Sequence, residues 1–411
     1  MYSLPQTGTS ALLEALSPYL DDDFICDLFP GRRGSGRRRA FAPNQLLRVL
    51  LLALLTPAHS FNLLVKLLGE NRAWRDFARL PNKQMVPGVR ILHEFREALG
   101  VTRLRALNSH LLGDLLTHLH PDRKAIAIMD STDFPAATGC FKKGVRQYSA
   151  KRAAVGARTI KSGQSKWFVG YKKHTLRLWL SCLDEQVVLV PLISWAAPAN
   201  RGDVLFLESS LHYSRRVLEF LPDLVVADMA YINLALQRRV REQMHVGIIT
   251  ALRPDFDLPK SIELGVMLTC SQGQKLEWLG LHEVEQLHWF GVRDEQPLCV
   301  WCPEQTRCAR EFCFSPQEHE IVFGTIPVQS RVGKYLLRGV RSWIEAAQSY
   351  EKNQLGLNQI FLNSLRLCWT MSLLADTVCL LRAHAFLGQP PIPTPLFNLL
   401  PRQIPLGLDL D

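Results

Sequence analysis

The chain has 411 residues, 47% of them aliphatic, aromatic or cysteine and 21% charged, a balance that excludes a disordered protein and allows two or three sizeable cores. Its formal net charge of +10 favours a polyanionic partner, most simply nucleic acid. The N-terminus MYSLPQTGTS lacks the charged start and apolar run of a secretion signal, no uncharged apolar run reaches membrane length, and ten cysteines are spread along the chain, so reduced thiols and a cytoplasmic, nucleoid-associated location are expected, with no membrane partner.

Residues 1–120 read as helical. SALLEALSPYL, FAPNQLLRVLLLALL, SFNLLVKLLGE and RILHEFREALG carry apolar positions at helical spacing between Pro and Gly breaks. The stretch GRRGSGRRRAF (31–41) between the first two reads as a flexible basic loop able to follow a phosphate backbone, or equally as a solvated surface loop. From Lys124 the texture changes. KAIAIMDS (124–131) is an apolar run ending in Asp130; 167–181 and 185–195 are strands rich in β-branched and aromatic residues; 200–221 is a capped helix. DLVVAD (223–228) is a buried-type strand ending in Asp228, followed by a helix over 231–244 and a strand over 246–252. That order predicts an α/β sheet with helices on its faces. Short strand-like pieces fill an insertion after Pro254, helical character returns near Gly333, a long apolar helix covers 358–387, and the tail is Pro-rich.

Two strands ending in aspartate place Asp130 and Asp228 where open α/β sheets bind ligands. Close carboxylates repel and need cations, and hard oxygen donors suit Mg²⁺. Within RSWIEAAQSYEK (341–352), Arg341, Glu345, Gln348 and Lys352 share one side of a helix, while Glu351 lies about 80° off that face. By itself the Arg341–Glu345 pair reads as ordinary i,i+4 surface decoration. Asp133 competes with Asp130, which is preferred because it directly ends the apolar run. His174 reads as a packed histidine. Cys299, Cys302, Cys308 and Cys313 offer four thiols within fifteen residues; a structural Zn²⁺ site is the less favoured reading, small strand residues the preferred one.

The ordered motifs resemble those of DDE insertion-sequence transposases. R341-x3-E345-x6-K352 matches the Arg, Glu and Lys of their Y-x2-R-x3-E-x6-K signature. IMDSTDF, KWFVGYKKH (166–174), PANRGD (198–203) and VVADMAY (225–231) resemble the strands and turn around the family's two aspartates. The resemblance implies an RNase H-like α/β core interrupted by a mostly β insertion and preceded by a helical N-terminal domain. The corresponding divisions are a DNA-binding domain at 1–120, core at 121–252, insertion at 253–333, C-terminal core helices at 334–390 and tail at 391–411. It further implies a catalytic, metal-binding triad of Asp130, Asp228 and Glu345 with two Mg²⁺ (or Mn²⁺) ions. Arg338, Arg341, Lys352 and Lys172 would be DNA contacts, the partners element-end inverted repeats and target DNA, and the working form a homodimer. The chain departs from the signature at 338, where Arg replaces Tyr and Tyr335 lies three residues further back.

Overall fold

A computed structural model describes residues 6, 8–30, 40–117, 125–137, 141–142, 145–146, 150–159, 164–181, 187–252, 276–282, 287–291, 302–303, 311–315, 324–360 and 362–387. The 31–39 part of the basic loop, Cys299, Cys308 and the tail lie outside the described residues.

The N-terminal third is helical, as its periodicity predicts: α1 (Ser10–Leu16), α2 (Asp22–Asp27), α3 (Pro43–Leu55), α4 (Phe61–Glu70), α5 (Arg72–Phe77) and α6 (Val89–Leu116). Side-chain caps from Thr9, Asp21 and Asn71 start α1, α2 and α5. Helix α3 is buried almost all round. Its one charge, Arg48, is fully buried and satisfied by Asp22 at 2.9 and 3.2 Å, by Ser17, and by the carbonyls of Phe77 and Leu20. Helix α6 kinks at Gly100, whose φ of 56° lies in the left-handed region.

The sheet runs β6–β5–β1–β7–β8, with β4 continuing the β6 edge along the other half of β5. These strands are β1 (Ile126–Pro135), β4 (Ala154–Thr159), β5 (Ser165–Ser181), β6 (Val187–Pro198), β7 (Leu224–Ala227) and β8 (Gly247–Thr250); a two-stranded ladder, β2 (Phe141–Lys142) with β3 (Val145–Arg146), stands apart. β1, β7 and β8 are parallel, whereas β5 is antiparallel to β1, β4 and β6. Helices α7 (Val204–Tyr213) and α8 (Leu234–Met244) cross between strands. A separate three-stranded sheet, β9 (Glu277–His282), β10 (Leu287–Gly291) and β11 (Glu311–Phe314), forms from the insertion.

Helical structure resumes with α9 (Arg331–Tyr335) and α10 (Trp343–Ser349), and ends with α11 (Leu365–Leu387). Wide π-helical turns at Leu336–Val340 and Tyr350–Gln354 bracket α10. Alternation along the strands sends their side chains to two cores. Ala127, Met129, Val225 and Ala227 join one that also holds the leucines of α1, α3, α6 and α11. Ile126, Ile128, Leu224 and Val226 join the other, under Val332, Leu336, Val340 and Ile344. Among the described residues α11 alone is long and apolar enough to span a membrane, and it is largely buried in the fold.

Of the boundaries that differ from the sequence reading, two bear on the site and the core. β1 does not stop at Asp130: its parallel pairing with β7 ends at Met129, but its antiparallel pairing with β5 continues to Pro135. The last helix begins at Leu365 and not at 358, because Gly356 takes φ 67° and residues 357–359 form a separate 3₁₀ turn.

Candidate active site

Met129 pairs with Ala227 in the parallel β1–β7 ladder, so the next residues, Asp130 and Asp228, stand side by side where that ladder ends. By strand alternation both continue the face of Ile126, Ile128, Leu224 and Val226. That face is covered by the segment ending in Val340 and Ile344, so the sheet and the RSWIEAAQSYEK helix meet over the two carboxylates.

The contacts along the helix fix its orientation. Arg341 Nη2 lies 3.4 Å from Asp228 Oδ2, Gln348 Nε2 donates to the Ser131 carbonyl at 3.3 Å, and the Lys352 ammonium sits 5.6 Å from the centre of the Phe134 ring. Glu345 stands between Arg341 and Gln348 and is exposed. It is not gathered with the two aspartates: among the described residues no group of three or more His, Cys, Asp or Glu is assembled closely enough to hold a metal. Arg338 is exposed on the π turn before α10. The ring of Tyr335 lies against Gly339, where a Cβ would come within 3.2 Å of it.

Asp130 is short of positive partners. One of its oxygens accepts from the Ser131 N–H at 2.8 Å. Burial pushes its carboxyl up to about 6; Asp228 and Asp203 add to the rise, while the Ser131 N–H and Arg341 oppose it. Asp228 caps the following 3₁₀ turn through the Met229 N–H. An excess of hard carboxylate oxygen over local positive charge is the chemistry that a divalent cation relieves, so Asp130 and Asp228 fit such an ion.

Asp203 is a residue that sequence reading passed over as a turn. It lies behind the pair, raised by burial and opposed by Lys172, whose Nζ is 3.3 Å away. Lys172, expected to touch DNA, therefore points into the fold. Behind Asp203, His174 is fully buried and stacked on Phe206 at 3.9 Å, and burial drives its pKa down to about 3, which keeps the ring neutral. Tyr231 is buried beside Asp203, Asp130 and Asp228, and burial raises its phenol well above the usual range. The N-R-G-D turn before a helix, next to a Lys-x-His strand, is the only signal in the sequence for this group.

The two glutamates separate cleanly. Glu351 is buried and bonded to Lys173 Nζ at 2.8 and 2.9 Å and to Arg177 Nη2; Lys173 also reaches Asp376 at 2.8 Å. Burial alone would raise the Glu351 carboxyl, but Arg177 and Lys173 outweigh it and hold it low. Two cations four positions apart on one strand, 173 and 177, which share a face by alternation, with an acid breaking the apolar run at 376, are its trace in the sequence. In the insertion, neither Cys302 nor Cys313 is joined in a disulfide among the described residues.

Residues 4–98 match the family model of a transposase domain (DUF772). The match supports a transposase. It covers α1 to α5 and most of the first half of α6, stopping just before the Gly100 kink, and it points to a DNA-processing role with DNA as the partner. No curated protein matches the sequence.

Proposed function

We propose that the protein is a DDE-type DNA transposase, cleaving phosphodiesters at the ends of an insertion element and joining the freed 3′-hydroxyl to target DNA. The observation carrying this reading is the placement of Asp130 and Asp228 at the adjoining ends of parallel β1 and β7, under the helix that bears Glu345. A mixed sheet in the order β6–β5–β1–β7–β8 with β5 antiparallel supports an RNase H-like core, and the transposase-domain match supports the biological role.

Asp130 and Asp228 would hold divalent Mg²⁺ or Mn²⁺, and Glu345, which stands apart from them in the metal- and DNA-free chain, would join as the third carboxylate only with ions and DNA bound. The chemistry such ions would supply when bound is activation of a hydroxyl nucleophile and stabilisation of a leaving 3′-oxygen. The chain's own residues do the remainder. Arg341 neutralises Asp228 in the DNA-free protein and, displaced from it, presents its guanidinium to a phosphate. Exposed Arg338 and half-buried Lys352, on the π turns flanking α10, grip the strand on either side. Asp203 and Lys172 form a neutral pair that backs the aspartates without competing for the ions.

The test is a nicking and joining assay on labelled duplexes carrying the element's terminal repeats with Mg²⁺ or Mn²⁺. Cleavage and joined products, both lost in Asp130→Asn and Asp228→Asn, are expected. Nicks without joined products would reassign the protein as an RNase H-like nuclease, and no cleavage by the wild type would overturn the enzyme reading.

A further inference from the structure

Between Asp133 and Asp184 the chain carries eleven Lys and Arg and no acidic residue. Part of this stretch forms a two-stranded ribbon, in which β4 pairs with the first half of β5 from Ala154↔Gly170 to Thr159↔Ser165. Partners directly opposite in an antiparallel pair share a face. On one face lie Gly156 and Phe168. That side is closed: a Cβ on Gly156 would come within 2.8 Å of the Ala199 methyl. The other face carries Val155, Ala157, Trp167 and Val169. It is open, with Trp167 70% and Val155 51% exposed. Lys166 is exposed at the ribbon's end, projecting by alternation to the Phe168 side, and Lys151 and Arg152 are exposed at the ribbon's foot. There a cavity of about 820 Å³ opens beside the Gly100 kink, with Arg103, Arg366 and Glu97 also in its wall, Arg366 lying 3.4 Å from the Glu97 carboxylate.

We propose that this ribbon is a second DNA-docking surface, whose occupant is duplex DNA flanking the cleaved phosphate. The inference rests on the DNA-transposase reading and adds to it a contact away from the carboxylates. Charge selects the occupant. Lys172, Lys173 and Arg177 are spent on ion pairs inside the fold. Exposed Lys151, Arg152 and Lys166, with Arg103 and Arg366 against the one acid Glu97 in the cavity wall, leave a net cationic surface that complements a polyanion. Shape agrees, because the major groove of B-DNA admits a two-stranded β-ribbon and an apolar side chain there meets thymine methyl groups. Trp167 is eight positions along β5 from Thr175, the partner of Asp130. At about 3.3 Å per residue that is roughly 26 Å, or about eight base pairs of a duplex lying along the strand. Trp167 enters the groove, Lys151 and Arg152 contact phosphates at the ribbon's foot, and Lys166 reaches a phosphate round the ribbon's edge.

The test uses the full chain and a fluorescein-labelled mixed-sequence duplex of roughly 30 base pairs, with binding followed by anisotropy from about 50 to 300 mM KCl. Loss of three phosphate contacts in the triple variant Lys151→Ala/Arg152→Ala/Lys166→Ala lowers the slope of log K against log salt by about 2.7 and the affinity at least tenfold. Trp167→Ala weakens binding about five- to tenfold at an unchanged slope. The exposed positions make all four substitutions neutral to folding, checked by thermal melts. A triple variant with wild-type slope and affinity, in a protein that still nicks DNA, overturns the ribbon and leaves the transposase reading standing. A wild type that shows no salt-dependent duplex binding removes both. A Trp167→Ala variant that changes the sedimentation coefficient from dimer to monomer, with duplex affinity intact, assigns the face to a second copy and also overturns the proposal.

Discussion

A carboxyl held near 6 by burial, as Asp130 is, makes the folded chain less stable at neutral pH. The sign follows from proton binding. Asp130 in the unfolded chain titrates near 3.8, so between that value and about 6 the folded state keeps a proton that the unfolded state has lost. Its contribution to stability falls as pH rises through this window and is flat above it. Metal-free Asp130→Asn should therefore exceed the wild type by about 1–3 kcal/mol at pH 7 and match it near pH 4, as read from urea unfolding. Added Mg²⁺ should raise the melting temperature of the wild type and not of this variant. The two glutamates give a second contrast. Glu345→Gln leaves the melting temperature unchanged, because the side chain is exposed, and abolishes nicking. Glu351→Gln leaves Lys173 and Arg177 with an uncompensated buried charge and costs about 3–5 kcal/mol. The reverse pattern would reassign the third acid.

At the scale of elements, the central contact is the antiparallel pairing of β1 with β5 past Asp130. Gly170 makes it close: a Cβ there would collide with the Phe134 carbonyl and stand 2.9 Å from the Ala136 nitrogen. Gly170→Ala should destabilise by about 1–3 kcal/mol or more and impair cleavage with it, measured by unfolding and nicking on one preparation. This part of β1 was not legible in the sequence. The run KAIAIMD shows where burial ends, but STDFP carries no apolar alternation, and only a partner strand reveals that it stays extended. The strands at 167–181, 185–195 and 223–228 were legible because each is long or uniformly apolar. The helix face of Arg341, Glu345 and Gln348 was legible from a 3.6-residue repeat, and Arg341 and Gln348 do meet β1 and β7. What periodicity could not foresee is the pair of π turns. An extra residue per turn alters the angular count and sends Glu351 inward to Lys173 and Arg177 while its neighbour Lys352 stays against Phe134. Asp203 escaped because a turn aspartate before a helix ordinarily serves as a cap.

For the whole molecule, the decisive fact is that one core runs from α1 through α6 and α11 to the sheet. A chain beginning at residue 121 would strip α11 of its cover and expose its leucines. Such a fragment should bind a hydrophobic dye and lose near-ultraviolet dichroism, whereas a compact, dye-free fragment would show that the sheet unit stands alone. The α6–α11 seam is also closed by polar bonds: Asn108 donates to the Leu373 carbonyl, Thr377 donates to Asn108 Oδ1, and His384 Nε2 lies 2.7 Å from the Leu111 carbonyl. These partners are 265 to 273 positions apart. During synthesis at roughly 5–20 residues per second, α6 thus waits roughly 15–55 s for α11 to leave the ribosome. For that interval its leucine face is open to other nascent chains. The yield of folded protein should depend on translation speed and on holding chaperones more than on the stability of the finished fold.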